Sequence, residues 1–151
     1  MDPTFAHLRK ATRKGLLRRK PMWEQHEAVS AAELRHIGQR VGAQVPDDLV
    51  AFLEEFGFGN INDELSLRRE WLAHVDLGPL KGHLVFGQDD RGNLYTTEPT
   101  TGAIHYLDRF EPGYCRLASN FREFLQEAHA REFEIVAWAE AQTLAPYASA
   151  A

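Results

Sequence analysis

The sequence has few of the groups that build disulfides, metal centres and membrane anchors. Its 151 residues include one cysteine, Cys115, which excludes an internal disulfide and any zinc site made from cysteine pairs. No apolar run approaches the roughly 20 residues that a transmembrane helix needs. The basic N-terminus also lacks the apolar stretch of a signal peptide. We therefore expect no membrane partner and a cytoplasmic location.

The sequence also lacks a recognisable catalytic or cofactor-binding motif. It contains no GxSxG, no phosphate-binding loop and no GxGxxG, and its seven histidines do not form HExxH or another metal-binding spacing. His105, Asp108 and Cys115 can be written as a catalytic constellation. However, Cys115 is expected in a strand, with no helix N-terminus to activate its thiol. The sequence thus predicts a binding protein that is not an enzyme and uses no cofactor and no metal.

Charge is distributed unevenly in a chain whose length fits one domain. Residues 1–20 carry seven basic side chains and one acid, whereas residues 21–151 carry 10 basic and 21 acidic side chains, a net charge of −11. The basic arm could contact an anionic partner such as nucleic acid. It could also lie against the acidic body or form a solvated face. We expect one of the last two and rank nucleic-acid binding below them.

Two helices are predicted in the first half of the chain. A Ser-x-x-Glu capping box at residues 30–33 precedes apolar residues at helical spacing, and Gly42 is a natural stop. Pro46 and the two acids after it suit a second helix start, followed by an apolar stripe that ends at Gly57. Residues 58–64 are interpreted as a loop.

The two ends of the chain give weaker patterns. A short helix is plausible in the arm, ending near Gly15 or before Pro21, with residues 21–29 as a connector. Asn120 can cap a final helix whose pattern continues to about Thr143. The tail, residues 145–151, is expected to fray.

Antiparallel strands are predicted between these helices. Residues 84–88, 94–98 and 104–108 carry β-branched and aromatic side chains, and the segments between them contain turn-forming Asp, Gly, Asn and Pro. Residues 114–118 can form a fourth strand, whereas the pattern of residues 65–75 does not decide between strand and helix. The fold class predicted is α+β, with a mostly antiparallel sheet flanked by helices.

These segments, in this order and spacing, resemble the SUKH superfamily, whose founding members include a fungal regulator of cell-wall assembly. VPDDLVAFL at residues 45–53 resembles the family's proline-led helix, with valine in the usual leucine position, and ASNFREFL at residues 118–125 resembles its closing helix. The resemblance spans roughly residues 30–128. The domain organisation predicted is a basic arm and connector at 1–29, part of the same domain, a SUKH-like domain at 30–144, and a tail at 145–151.

The resemblance implies a function. In bacteria, similar proteins mainly act as immunity proteins, which bind and neutralise toxin domains, often nucleases. Nuclease toxins tend to be basic where they grip phosphate, so an acidic inhibitor can be steered to that surface. We expect a cognate protein toxin with a basic surface as the partner. Two alternatives stay open: a regulatory or scaffold module of the same fold, and nucleic-acid binding through the basic arm.

Two turn-forming segments and two tyrosines are the candidate contacts with such a partner. The turn residues could equally serve backbone geometry, and the tyrosines could pack beneath a helix. The first segment lacks the alternating oxygen ligands and the distal Glu of a calcium loop. The candidate residues are Asn60, Asp63, Glu64, Asp89, Asp90, Arg91, Tyr95 and Tyr106.

Overall fold

The computed structural model describes residues 3–147 and confirms the predicted α+β class. The helices in this range are α1 (Pro3–Lys10), α2 (Ala31–Val41), α3 (Asp47–Phe56), α4 (Phe121–Ala130) and α5 (Ile135–Glu140). The strands are β1 (Thr12–Lys14), β2 (Arg19–Pro21), β3 (Trp23–Glu27), β4 (Phe58–Ile61), β5 (Leu65–Leu67), β6 (Ala73–His74), β7 (Leu84–Asp89), β8 (Leu94–Thr97), β9 (Ile104–Asp108), β10 (Gly113–Ala118) and β11 (Ala145–Pro146). One turn of 3₁₀ helix covers Arg69–Trp71.

The strands form one large antiparallel sheet and one separate hairpin. The order in the large sheet is β11-β10-β9-β8-β7-β5-β4-β3, with β6 pairing to β7 beside this path. Strands β7, β8, β9 and β10 follow one another as a meander, as the turn residues between them predict. β1 and β2 pair only with each other, at the N-terminal side of the chain.

Helices α2 and α3 and the start of α4 lie where the local chemistry predicts. Ser30 and Glu33 form the predicted capping box, in which the Glu33 N–H donates to Ser30 Oγ over 3.1 Å. Gly42 and Gly57 end α2 and α3 with a positive φ of 75°, which costs glycine little. Asn120 caps α4 through its side chain.

The helices cover one face of the sheet and enclose an aromatic core. Phe52 lies 4.8 Å from Phe121 between ring centroids, and Phe124 lies 5.6 Å from Trp138. α1 belongs to this core because Phe5, 1% exposed, packs edge-on against Phe52. Among residues 3–147 we find no helix both long and apolar enough to span a membrane.

Four segments differ from the sequence prediction. The arm is a helix only as far as Lys10, after which residues 12–21 form a hairpin and 23–27 an edge strand. Residues 58–61 form a buried strand where a loop was predicted, because Gly59 and Asn60, which favour turns in sequence, occupy its two central positions. The final helix breaks at Glu132, where φ is 56°. The start of the expected frayed tail pairs with β10 as β11, and residues 148–151 lie outside the described range.

Candidate functional site

The two predicted turn segments meet at one end of the sheet. Leu65 pairs with Asp89 across β5 and β7, and the Asp90 N–H donates to the Glu64 carbonyl oxygen over 2.8 Å. The start of α5 packs on the same place, where the Val136 N–H donates to Glu64 Oε1 over 2.9 Å. We call this region the acidic end and define it by Asp63, Glu64, Asp90 and Glu134.

The first turn of the acidic end is a tight hairpin between β4 and β5. Asn62 and Asp63 have φ of 56° and 54°, and the Glu64 N–H donates to the Ile61 carbonyl over 2.9 Å. Positive φ at both central residues is the arrangement of a type I′ turn. Asn60 is buried at the base of this turn and accepts a hydrogen bond from the Asp63 N–H. Asn60 therefore stabilises the turn from within the fold, whereas the Asp63 side chain is exposed.

Asp89 organises the second turn and is 6% exposed. Its Oδ1 accepts hydrogen bonds from the N–H groups of Arg91 and Asn93, each over 3.0 Å. Its Oδ2 accepts the Tyr95 hydroxyl over 3.0 Å. The carboxylate is therefore occupied within its own hairpin, and Asp90 beside it is exposed.

The two candidate tyrosines lie in the core and not on the surface. Tyr95 is 0% and Tyr106 1% exposed, with their rings 5.3 Å apart beneath α4. Burial raises the pKa of Tyr106 to about 12, with a further increase from nearby Asp108. The Tyr106 hydroxyl accepts a hydrogen bond from Asn93 Nδ2 over 3.0 Å. Neither tyrosine offers a partner any surface, so the toxin-contact hypothesis does not extend to them.

The ionised form of Glu64 is disfavoured at the acidic end. The side chain is half-buried, and burial is the main reason that its pKa is raised. The negative charges of Asp90 and Glu134 raise it further, while hydrogen bonds from the Val136 N–H and Asn62 partly oppose them. Three carboxylates are thus held near one another by backbone geometry although their charges repel.

The exposed side chains of the acidic end differ in their partners. Asp63 pairs with Arg13 of β1, and Arg91 Nη1 lies 2.7 Å from Glu140 Oε1. Asp90 and Glu134 form no ion pair within residues 3–147. Sequence reasoning missed Glu134 because the apolar pattern continued across the break between α4 and α5, and neither glycine nor proline marks that break.

The catalytic constellation written from the sequence is not assembled. Cys115 pairs with Tyr106 across β9 and β10, whereas His105 pairs with Arg116. Because paired residues share a face and neighbours alternate, the thiol and the imidazole point to opposite faces of the sheet. Burial also raises the pKa of Cys115, which disfavours the thiolate. Within residues 3–147, no three His, Cys, Asp or Glu side chains are grouped to hold a metal ion.

Comparison with protein families gives one match. The model of the SMI1 / KNR4 family (SUKH-1) matches residues 28–127, which is more than half of the chain and contains the whole meander. Comparisons with curated proteins and with solved structures gave no match. The chain therefore belongs to the SMI1 / KNR4 family (SUKH-1), as the order of its sequence segments indicated.

Proposed function

We propose that this protein is an immunity-type protein that binds a cognate toxin and blocks it without chemistry. Family membership carries the proposal, because the resemblance to the SUKH superfamily implies an immunity role in bacteria. The catalytic constellation is split between two sheet faces, which is consistent with an inhibitor that acts by occlusion.

The acidic end is the surface that we propose for the contact. Asp90 and Glu134 are exposed and form no ion pair within residues 3–147, and they lie on turns held by backbone hydrogen bonds to the carbonyl oxygens of Glu64 and Ala128. A rigid acidic surface attracts a basic partner over a long range and loses little conformational freedom on binding. A toxin that grips phosphate presents such a basic surface. The proposed contact residues are Asp63, Asp90, Arg91 and Glu134.

The direct test is co-expression of the full chain with the toxin encoded beside its gene. We expect growth to be rescued and the two proteins to co-purify. If the toxin still kills and no complex forms, the proposed function is wrong. If a complex forms but the toxin remains active in vitro, the protein is a binding module of the same fold and not an inhibitor.

A charge-reversal variant tests the surface separately from the function. Asp90→Lys with Glu134→Lys should slow association with a basic toxin at low salt by about tenfold or more. The matched control is Glu54→Lys with Glu70→Lys, which makes the same change in net charge at exposed positions outside the acidic end. Equal slowing by both variants would show only a net-charge effect. No slowing by either would place the contact elsewhere while leaving neutralisation intact.

A further inference from the structure

The hairpin of β1 and β2 presents the most exposed apolar side chains among the described residues. Leu16 and Leu17 at its tip are each 95% exposed. An isolated exposed leucine needs no explanation, but two adjacent ones at the end of a projecting element are unusual. Neither the fold nor the proposed toxin contact uses them.

Basic side chains surround this apolar tip. Lys14, Arg18 and Lys20 are exposed and form no ion pair with any acid in residues 3–147, and no acid occurs between residues 3 and 23. Arg19 donates from Nε to Thr12 Oγ1 over 2.6 Å, which ties the two strands together. Within the described part of the chain, the acidic body therefore does not neutralise these tip cations.

The cations lie on both faces of the hairpin. Lys14 is paired with Arg19, and Arg13 is paired with Lys20, in neighbouring positions of the antiparallel ladder. Paired residues share one face and the next pair occupies the other. Lys14 and Arg19 thus place positive charge on one face and Lys20 places it on the other, and together they form a basic collar behind the apolar residues of the tip.

The base of the hairpin is fixed to the body. Arg13 bonds to Glu24 of β3 and to Asp63 of the acidic end, and its side chain is 14% exposed. Met22, just after β2, is buried, and its N–H donates to the Ala11 carbonyl over 2.9 Å. The leucines are therefore held away from the core by a short and anchored element.

We propose that this hairpin docks on an anionic lipid surface, with Leu16 and Leu17 entering the apolar layer and the cations contacting the headgroups. A membrane surface is charged outside and apolar beneath, which matches a basic collar behind an apolar tip. Partly buried leucines and nearby cations each add a small favourable contribution to such binding. Docking of this kind needs no membrane-spanning segment. The expectation of no membrane partner rested on the absence of a long apolar run, and that absence is compatible with docking at the membrane surface.

Two other anionic or apolar partners fit less well. Single-stranded nucleic acid is usually bound through aromatic side chains that stack on bases, and residues 12–21 contain none. A second copy of this chain offers an apolar groove between α2 and α3. That groove carries Arg35 as well as Asp47 and so presents no net negative charge to the collar.

Vesicle flotation with the full-length protein tests the proposal. We expect binding to vesicles of phosphatidylcholine with phosphatidylglycerol, weak binding to phosphatidylcholine alone, and loss of binding as salt is raised. Leu16→Ser with Leu17→Ser should lower the vesicle affinity by about tenfold or more. Lys14→Gln with Arg18→Gln should lower it about fivefold for each charge removed.

Matched variants distinguish vesicle binding by the hairpin from non-specific binding by other exposed apolar or charged side chains. Leu77→Ser with Phe110→Ser removes two exposed apolar side chains elsewhere, and Arg35→Gln with Arg40→Gln removes two exposed charges elsewhere. Both should bind vesicles as the parent protein does. The proposal is overturned if anionic vesicles are not bound, if the leucine variant binds unchanged, or if a DNA duplex is bound while vesicles are not. Toxin neutralisation by the leucine variant is an independent measurement, because these residues lie outside the acidic end.

Discussion

Two hairpins of this protein differ in which side chains of the turn are buried and which are exposed. In the turn between β7 and β8, the charged Asp89 is buried and accepts three hydrogen bonds. In the turn between β1 and β2, the apolar Leu16 and Leu17 are almost completely exposed. A charged side chain lies inside and apolar ones lie outside, which reverses the usual distribution.

The contrast separates residues used by the fold from residues left for a partner. The hydrogen-bonding capacity of Asp89 is largely filled by its own turn and by Tyr95, so its role is explained without a partner. Leu16, Leu17 and Lys14 have no comparable contact with residues 3–147 that explains their presence. A sequence motif is a weaker candidate for partner binding when the structure shows that its polar atoms already have hydrogen-bond partners within the fold. A segment without any motif is a stronger candidate when its side chains have no such partners.

The largest expected effect is loss of stability on replacing Asp89 with alanine. The buried Tyr95 hydroxyl and two backbone N–H groups would lose their acceptor, so we expect the free energy of unfolding to fall by about 3 kcal/mol or more. The free energy of unfolding is measured by urea denaturation, with circular dichroism as the signal. Asp90→Ala, one residue away and exposed, is the control and should change stability by less than about 0.5 kcal/mol. Similar losses in both variants would contradict the distinction between the two positions.

A smaller effect is expected at the base of the basic hairpin. Arg13→Gln removes the charged contacts to Glu24 and Asp63, and we expect a loss of about 1–2 kcal/mol because the guanidinium is largely covered. Trypsin should also cleave the exposed sites within residues 14–20 faster in this variant. Arg18→Gln at the tip is the control and should leave stability unchanged. If Arg13→Gln behaves like Arg18→Gln, the base is no better anchored than the tip.

The parts of the fold that follow from local chemistry could be predicted from the sequence. The capping box at Ser30, the glycine stops at Gly42 and Gly57, and the turns of the meander depend on residues close together in the chain. β4 could not be predicted in this way, because Gly59 and Asn60 favour turns and its burial depends on pairing with β3 and β5. The hairpin of β1 and β2 was missed because its strands are short and basic and its side chains show no apolar periodicity.

The candidate site was predictable only in part. Asp63, Asp90 and Arg91 could be proposed as candidates because turn residues are visible in sequence. Their meeting depends on the pairing of Leu65 with Asp89, which joins segments more than twenty residues apart. The burial of Tyr95 was the stated alternative for a strand aromatic and follows from α4 covering that face.

The smallest expected effect concerns the charge of Glu64, which distinguishes the acidic end from the solvated basic tip. Burial, and then repulsion from Asp90 and Glu134, raise the pKa of Glu64, so ionisation costs more in the folded state than in the unfolded state. This cost is absent below the ordinary pKa of 4.5, develops as pH rises from there towards the folded-state pKa, and is fully present above it. The glutamine of Glu64→Gln cannot ionise, so this variant does not carry the cost of ionisation in the folded state.

The Tm of Glu64→Gln minus that of the parent should therefore be more positive at pH 7 than at pH 4, by on the order of 1–2 °C. The pH dependence of this difference is the measurement, because glutamine also forms a weaker set of hydrogen bonds with Val136 and Asn62 at every pH. Glu111→Gln, the same substitution at an exposed position, is the control for the loss of one negative charge. Adding Asp90→Asn to the parent should reduce the cost at Glu64, since one repelling charge is removed. A Tm difference that is equal at both pH values would mean that water screens Glu64 as fully as it screens the cations of the basic hairpin.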